Sequence, residues 1–365
     1  MNKIGFIVPS YFKENKGGAE LQCLYLSEEL ISRDYEVVYI KESKKPSKHP
    51  YLDVNGIKIY EIQKRANYLR IFNYFQIKRI IKSEGIKYWY LRATIAYVFP
   101  VYKISKNINI TTIWACARDD ELDHSISKKK FKFFGNILYR LNIFLFKKAL
   151  PGINQILLQT KIQKKLLANR YQLSGHIVYN SIAIKNHKMN TKKNRILWIG
   201  RLIPMKQPES FLKLCEIMPN YEFILVGKPV SNNHYSDMKS VCSDFNNLTY
   251  YQDLSHDKIL SLISESKLLI NTSKLSGEGF SNTFLESWSL GNPVISMNVD
   301  PDSSINKNNL GIVTNDVLEI KDYINKIFLD DSYYNFISRN CIKYVETNHS
   351  VKNNVDKLLG ILNNG

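Results

Sequence analysis

Two carboxylates, Glu278 and Glu286, stand with seven residues between them in the stretch "SGEGFSNTFLESWSLGNPVIS", residues 276–296. Gly277 and Gly279 flank Glu278 and mark a loop. The apolar spacing from about Asn282 to Leu290, closed by Gly291 ahead of Pro293, predicts a helix with Glu286 in its second turn. A Gly-Glu-Gly loop can fold back over that helix N-terminus, so that both acids line one cleft while the amides of Phe280, Ser281, Asn282 and Thr283 point at an anion. Carboxylates accept hydrogen bonds from vicinal sugar hydroxyls and helix amides suit phosphate, so the combination fits a nucleotide sugar. An N-cap at Ser281 or Asn282 with a surface charge at Glu286 would produce the same local pattern.

Basic groups stand at a second place where ligands gather. In "RILWIGRLIPMKQPESFLKLC", Gly200 and Arg201 fall at the end of a β-branched run, Lys206 follows five residues after Arg201, and a helix starts near Pro208. Open α/β sheets bind ligands outside the carboxyl ends of their strands, and there Arg offers a bidentate grip on diphosphate and Lys a mobile charge. A solvated basic loop is the alternative. Near the N-terminus, Gly17 and Gly18 precede an apolar stripe of Leu21, Leu24, Tyr25 and Leu30, which suits either backbone approach to a ligand or a plain tight turn. The segment "GGAELQ" lacks the G-x-G-x-x-G fingerprint, which argues against NAD.

The elements that would position these groups alternate in a βαβ pattern. Strands are predicted at "KIGFIVP", "YEVVYI", "IKIYEI", "IKYWYL", "ITTIWAC" and "QILLQT", and again at "RILWIG", "EFILVG", "LTYYQ", "KLLINTS", "PVISM" and "GIVT", giving two Rossmann-like sets. A chain of 365 residues exceeds what one core usually supports. The expected division is 1–182, 183–345 and a C-terminal helix, 346–365, packing back toward the first domain, with the junction in the polar stretch "NSIAIKNHKMNTKKN", residues 180–194. From Asp316 onward the spacing is helical. Five scattered cysteines with no CxxC pair argue against a disulfide framework or a zinc site and suit a reducing compartment. The first apolar run is short for a secretory leader, and no window of 18 uncharged apolar residues exists, so a cytoplasmic chain is expected.

Taken together, "GGAE", "QTKIQKKLL", "YNSIAI", "IGRLIPMK", "ILVGK" and "EGFSNTFLESWSLGNPVI" resemble the retaining, metal-independent GT-B glycosyltransferases of family 4, over about residues 3 to 315. The last piece matches the family's E-x7-E motif and is the most specific. The resemblance implies an α/β GT-B fold, two Rossmann-like doubly wound domains facing across a cleft, with the donor mainly on the second half and the acceptor on the first. It implies that Arg201 and Lys206 bind the donor diphosphate in place of a metal ion, that Glu286 holds the ribose, and that Glu278 contacts the donor sugar. Gly200, Gly227, Gly279 and the amides of Phe280 to Thr283 would approach sugar and phosphates, and Gly17 and Gly18 would lie by the diphosphate or the acceptor. No cofactor or metal is implied beyond a UDP- or GDP-sugar substrate carrying a hexosyl or N-acetylhexosaminyl group. Many members carry a histidine late in the first domain, where this chain has "TTIWACARDDELDHS". Asp119 and Glu121 are the candidates there to orient the acceptor hydroxyl or take its proton, followed by Arg118 and His124, and a solvated acidic loop is the competing reading.

The formal charge of +18 is unevenly placed: residues 1–180 hold 31 Lys and Arg against 14 Asp and Glu, and the remainder 20 against 19. An anionic partner for the first half follows. Residues 127–150 place Phe134, Ile137, Leu138, Leu141, Phe144 and Leu145 on a stripe amid Lys128, Lys129, Lys130, Lys132, Arg140, Lys147 and Lys148. That pattern suits either a helix on the anionic inner face of the cell membrane or one packed on its own sheet with a basic rim. A lipid-linked saccharide acceptor in bacterial capsule, lipopolysaccharide or exopolysaccharide assembly is the preferred setting. The basic residues decorate predicted helices rather than an aromatic-lined strand platform, so nucleic acid is not an expected partner. A sugar-nucleotide 2-epimerase, a non-catalytic transferase subunit and a non-enzymatic basic binding protein are the competing functions.

Overall fold

In a computed structural model, the described residues are 2–12, 17–54, 56–92, 94–125, 133–183, 192–229, 238–252, 254–275 and 279–363. They divide into two compact units, Met1–Ser181 with Val351–Gly365, and Ile182–Ser350. The first unit holds strands β1 Lys3–Ile7, β2 Glu36–Ser43, β3 Leu52–Val54, β4 Ile57–Gln63, β5 Tyr88–Arg92, β6 Thr111–Ala115, β7 Gln155–Leu158 and β8 His176–Ile177. Their order is β3-β4-β2-β1-β5-β6-β7-β8, parallel apart from the β3–β4 pair. The second unit holds β9 Lys193–Leu202, β10 Glu222–Pro229, β11 Leu248–Tyr251, β12 Ser266–Asn271, β13 Val294–Ser296 and β14 Gly311–Val313. These run parallel in the order β11-β10-β9-β12-β13-β14.

All twelve strands predicted from the sequence are present. Among the described residues, the two strands that the sequence did not reveal are a three-residue antiparallel edge strand, β3, and a two-residue strand, β8, both too short to show a period. Near-continuous apolar runs become central strands because helices cover both sheet faces, as in β1, β5 and β6, each buried at four of five positions. Leaving aside the antiparallel edge strand β3, the strand order of each sheet reverses direction once, between β1 and β5 in the first and between β9 and β12 in the second. Such a switch point opens a crevice at the strands' carboxyl ends.

After Asp316 the chain is helical: Val317–Leu329, Asp331–His349 and Val351–Asn363. The helix Asp331–His349 runs unbroken through residue 345, so the chain leaves the second unit after Ser350. The last helix packs in the first unit against helix Gly18–Ile31. Asp356 pairs there with Arg33 at 2.5 Å, and Asn354 Nδ2 donates to Tyr179 O and Ser181 Oγ. The expected junction residues 184–191 lie outside the described residues.

The basic helix spans Phe133–Ala149, and its apolar positions face two ways. Asn142, Phe146 and Ala149 are buried, whereas Ile137, Leu141 and Phe144 are 49%, 45% and 60% exposed and Leu138 and Leu145 half-buried. The helix packs on the turn Asn67–Asn73, where Phe72 is 61% exposed, and Phe75 just beyond is 78% exposed. Lys128, Lys129, Lys130, Lys132 and the side chain of Phe134 lie outside the described residues. Among the described residues no helix is long and apolar enough to cross a membrane, and all five cysteines are buried and free.

Candidate functional site

The second unit gathers several of the candidate groups around its switch point. Strand β9 runs two residues further than the sequence suggested, so Gly200 and Arg201 lie within it and pair with Gly227 and Lys228 of β10. A Cβ on Gly227 would meet the Gly200 carbonyl oxygen at 2.7 Å, so packing between adjacent strands already requires glycine there. Arg201 is exposed and forms no ion pair among the described residues.

A buried relay fixes the loop that carries Lys206. The Trp198 indole donates to Thr272 Oγ1 at 2.8 Å, and Thr272 donates onward to the Lys206 carbonyl at 2.6 Å, with Trp198 and Thr272 at 2% and 0% exposure. Lys274 N donates to Met205 O at 2.9 Å, so the β9 exit loop is tied to the β12 exit loop at two points. One residue after Thr272, the Ser273 hydroxyl is buried without a hydrogen-bond partner among the described residues. Its carbonyl accepts from Asn298 Nδ2 at 3.1 Å, so the backbone that presents the hydroxyl is held.

The predicted helix spans Asn282–Ser289. Its N-cap, Ser281, spends its hydroxyl on Thr283 Oγ1 at 2.8 Å and makes no capping bond of its own. Phe280, expected for its amide, is also an anchor: its ring sits 4.6 Å from that of His349 and 6.2 Å from that of Trp288. Gly279 is buried beside it. Glu286 is 5% exposed and receives His256 Nε2 at 2.8 Å. His256 starts the helix His256–Ser264, whose N-cap, Ser255, accepts from Lys258 N. Glu278 and Gly277 lie outside the described residues.

In the first unit, Gly17 caps helix Gly18–Ile31, and the Glu20 carboxylate folds back over it. A Cβ on Gly17 would lie 2.1 Å from Glu20 Oε2, so the glycine makes room for that acid, whose other oxygen accepts from Ser10 Oγ at 2.9 Å. Asp119, Asp120 and Glu121 form a short 3-10 turn after β6. Asp119 accepts from Gln163 Nε2 at 3.0 Å, Asp120 pairs with Arg118 at 3.0 Å, and Glu121 accepts from Ala117 N at 2.8 Å. Burial pushes the Glu121 carboxyl above its ordinary range and holds the His124 imidazole below its own. The sequence reading missed His256, Thr272 and Ser273. The available signal was their position, since "NTS" ends the switch-point strand and "LSH" starts the helix before it.

Residues 180–344 match the family model described as Glycosyl transferases group 1. Among similar solved structures, sucrose-phosphate synthase from Thermosynechococcus elongatus is 11% identical with a TM-score of 0.78, the match covering 100% of this chain and 99% of that one. A glycosyltransferase from Rickettsia africae is 17% identical with a TM-score of 0.71, at coverages of 100% and 99%. Anabaena Alr3699/HepE, solved with UDP-glucose, is 14% identical with a TM-score of 0.75, at 100% of both chains. Comparison with curated proteins gives no significant match. The fold is therefore that of the GT-B glycosyltransferases. Its second unit carries a glycosyl transferases group 1 domain.

Proposed function

We propose that this protein is a retaining glycosyltransferase that moves a hexosyl or N-acetylhexosaminyl group from a UDP- or GDP-sugar to a saccharide acceptor. The observation that carries the reading is the switch point of the second sheet. There the Lys206 loop, the β12 exit with a Ser273 hydroxyl that has no partner among the described residues, and a helix N-terminus whose N-cap Ser281 makes no capping bond belong to one domain of the group 1 type. In this reading Arg201 and Lys206 face the donor diphosphate and stabilise the charge that grows on it as the glycosidic bond breaks, the part a divalent ion plays in other transferases. Glu286, oriented by His256, accepts from the ribose hydroxyls, Glu278 accepts from the donor sugar, and the amides from Gly279 to Thr283 hold phosphate and sugar. The acceptor hydroxyl enters on the face the nucleotide leaves, and the departing phosphate oxygen takes its proton, so no strong protein base is needed. Asp119 and Glu121 are the acids proposed to orient that hydroxyl.

The outward Ile137, Leu141, Phe144, Phe72 and Phe75 beside exposed Arg140, Lys147 and Lys148 support docking of the first unit on an anionic lipid surface. A lipid-linked acceptor in bacterial polysaccharide assembly, presented at the inner face of the cell membrane, fits that surface. The test is a panel of UDP-, GDP- and other nucleotide sugars, read by thermal shift and donor hydrolysis, with Lys206→Ala and Glu278→Ala as controls. One nucleotide class should stabilise the protein, and both substitutions should abolish turnover. Stabilisation by none of them, or turnover unchanged in both variants, refutes the assignment.

A further inference from the structure

Strand β5 ends in an arginine that the fold buries without an ion pair among the described residues. Arg92 is 5% exposed. Its Nη1 donates to Tyr90 Oη at 3.0 Å and its Nη2 to Asn180 Oδ1 at 2.7 Å, both neutral acceptors, while its Nε–H is buried without a partner. The same unit pairs another arginine fully: Arg70 grips both oxygens of buried Glu42 at 2.6 and 2.8 Å. Glu121 is near enough for Arg92 to feel its charge, yet among the described residues no carboxylate forms an ion pair with Arg92. A buried cation satisfied only by neutral groups is an unfavourable arrangement unless an anion arrives to complete it.

The surroundings supply room and further donors. Arg92 lines a hollow with Gln22, Tyr90, Cys116, Gln159 and Ser181, at the carboxyl ends of β5, β6 and β7. This is the edge of a parallel sheet where ligands bind. The walls are set: Gln22 bonds both the amide and the carbonyl of Ser181, and Gln159 Nε2 donates to Cys116 O at 2.7 Å. The Tyr90 hydroxyl accepts from Arg92, and among the described residues its own hydrogen has no acceptor. Both residues whose donors lack acceptors, Arg92 and Tyr90, therefore line the same hollow. The hollow has clearance for about one water-sized group, so it admits a single oxygen of an oxyanion lying at its mouth rather than a whole sugar ring.

We propose that Arg92 and Tyr90 form an oxyanion subsite that receives a terminal carboxylate or phosphate of the acceptor, which makes the acceptor an acidic saccharide. The word acceptor rests on the glycosyltransferase reading; the anion site itself does not. The planar guanidinium grips the oxyanion while its remaining bonds to Tyr90 and Asn180 hold it in place.

Glucuronate, glucose 6-phosphate and glucose are titrated against the full chain and its Arg92→Gln variant by saturation-transfer NMR, with UDP- and GDP-sugar binding measured in parallel. At least one of the two anions should bind the wild type ten-fold or more tighter than glucose, and the tighter one identifies the group as carboxylate or phosphate. Arg92→Gln should lose that margin and keep its nucleotide-sugar affinity. No margin over glucose, or a margin unchanged in Arg92→Gln, overturns the subsite. Should Arg92→Gln fail to fold, Tyr90→Phe is read instead: a margin reduced several-fold supports the site and an unchanged one overturns it. Failure of every nucleotide sugar to bind the wild type would count against the transferase reading and leave the anion result to stand or fall alone.

Discussion

Replacing Thr272 with valine tests the relay that holds the Lys206 loop. The substitution keeps side-chain volume and removes the hydroxyl that accepts from Trp198 and donates to the Lys206 carbonyl. The two losses differ. Trp198 is 2% exposed, so its indole N–H has no route to water and costs about 1–3 kcal/mol when left unmet. Lys206 is half-buried, so water can reach its carbonyl, and only the net worth of that bond, about 0.5–1.5 kcal/mol, is lost. The sum is about 2–4 kcal/mol, which at about 3 °C per kcal/mol for a unit of this size lowers Tm by roughly 6–12 °C. Freed at one of its two ties, the loop should also hold Lys206 less well, raising the donor Kd about ten-fold, or about 1.4 kcal/mol. Thr272→Ser is the control, because it keeps the hydroxyl and gives up only a methyl group, at about 1 kcal/mol. Calorimetric unfolding and donor titration of both variants decide the matter. If valine and serine variants unfold within about 2 °C of each other, the relay does not hold the loop.

Three other outcomes are expected. Glu121→Gln should raise Tm at pH 7–8. The wild-type carboxyl is pushed above its ordinary range by burial, so its contribution to stability is full below its unfolded value near 4.5 and is lost as pH rises through the folded value. The difference in Tm between variant and wild type, followed from pH 8 down to 4, should therefore shrink toward zero, and a difference that does not change with pH would contradict the burial argument. Gly227→Ala should cost about 1–3 kcal/mol in thermal unfolding, since its Cβ would meet the Gly200 carbonyl oxygen at 2.7 Å; an unshifted Tm would show that the strands part easily. Phe75→Ala with Phe144→Ala should weaken sedimentation with anionic vesicles by about a hundred-fold, taking about 1.5 kcal/mol for each exposed ring that enters lipid, while Tm stays put; unchanged sedimentation removes the lipid-facing role.

Twelve strands were legible because each is a short apolar run between turn residues, and a parallel sheet buried on both faces leaves that trace. The helix Asn282–Ser289 was legible from Gly291 and the spacing before it. Side-chain pairing was harder to see. Glu286 suggested a hydroxyl clamp by its motif alone, but its partner His256 lies thirty residues earlier and carries no local mark beyond starting a helix. Gly17 suggested room for a ligand, and the room is occupied by Glu20 three residues on, an acid whose reach back over the helix start depends on a rotamer. The stripe of helix Phe133–Ala149 left its facing open: so many positions are apolar that periodicity could not say which of them face inward, and the buried positions are Asn142, Phe146 and Ala149.

The last helix, Val351–Asn363, belongs to the unit that the first residue begins. Chain continuity then reverses the usual order of events during synthesis, in which the leading domain folds first. Residues 182–350 emerge as one uninterrupted segment and hold all they need to close their own sheet. The earlier 181 residues must wait, with one flank of helix Gly18–Ile31 uncovered and Arg33 without Asp356, until residues 351–363 have been made. A nascent chain released short of residue 351 would carry a finished second unit attached to a first one still open to chaperones and proteases.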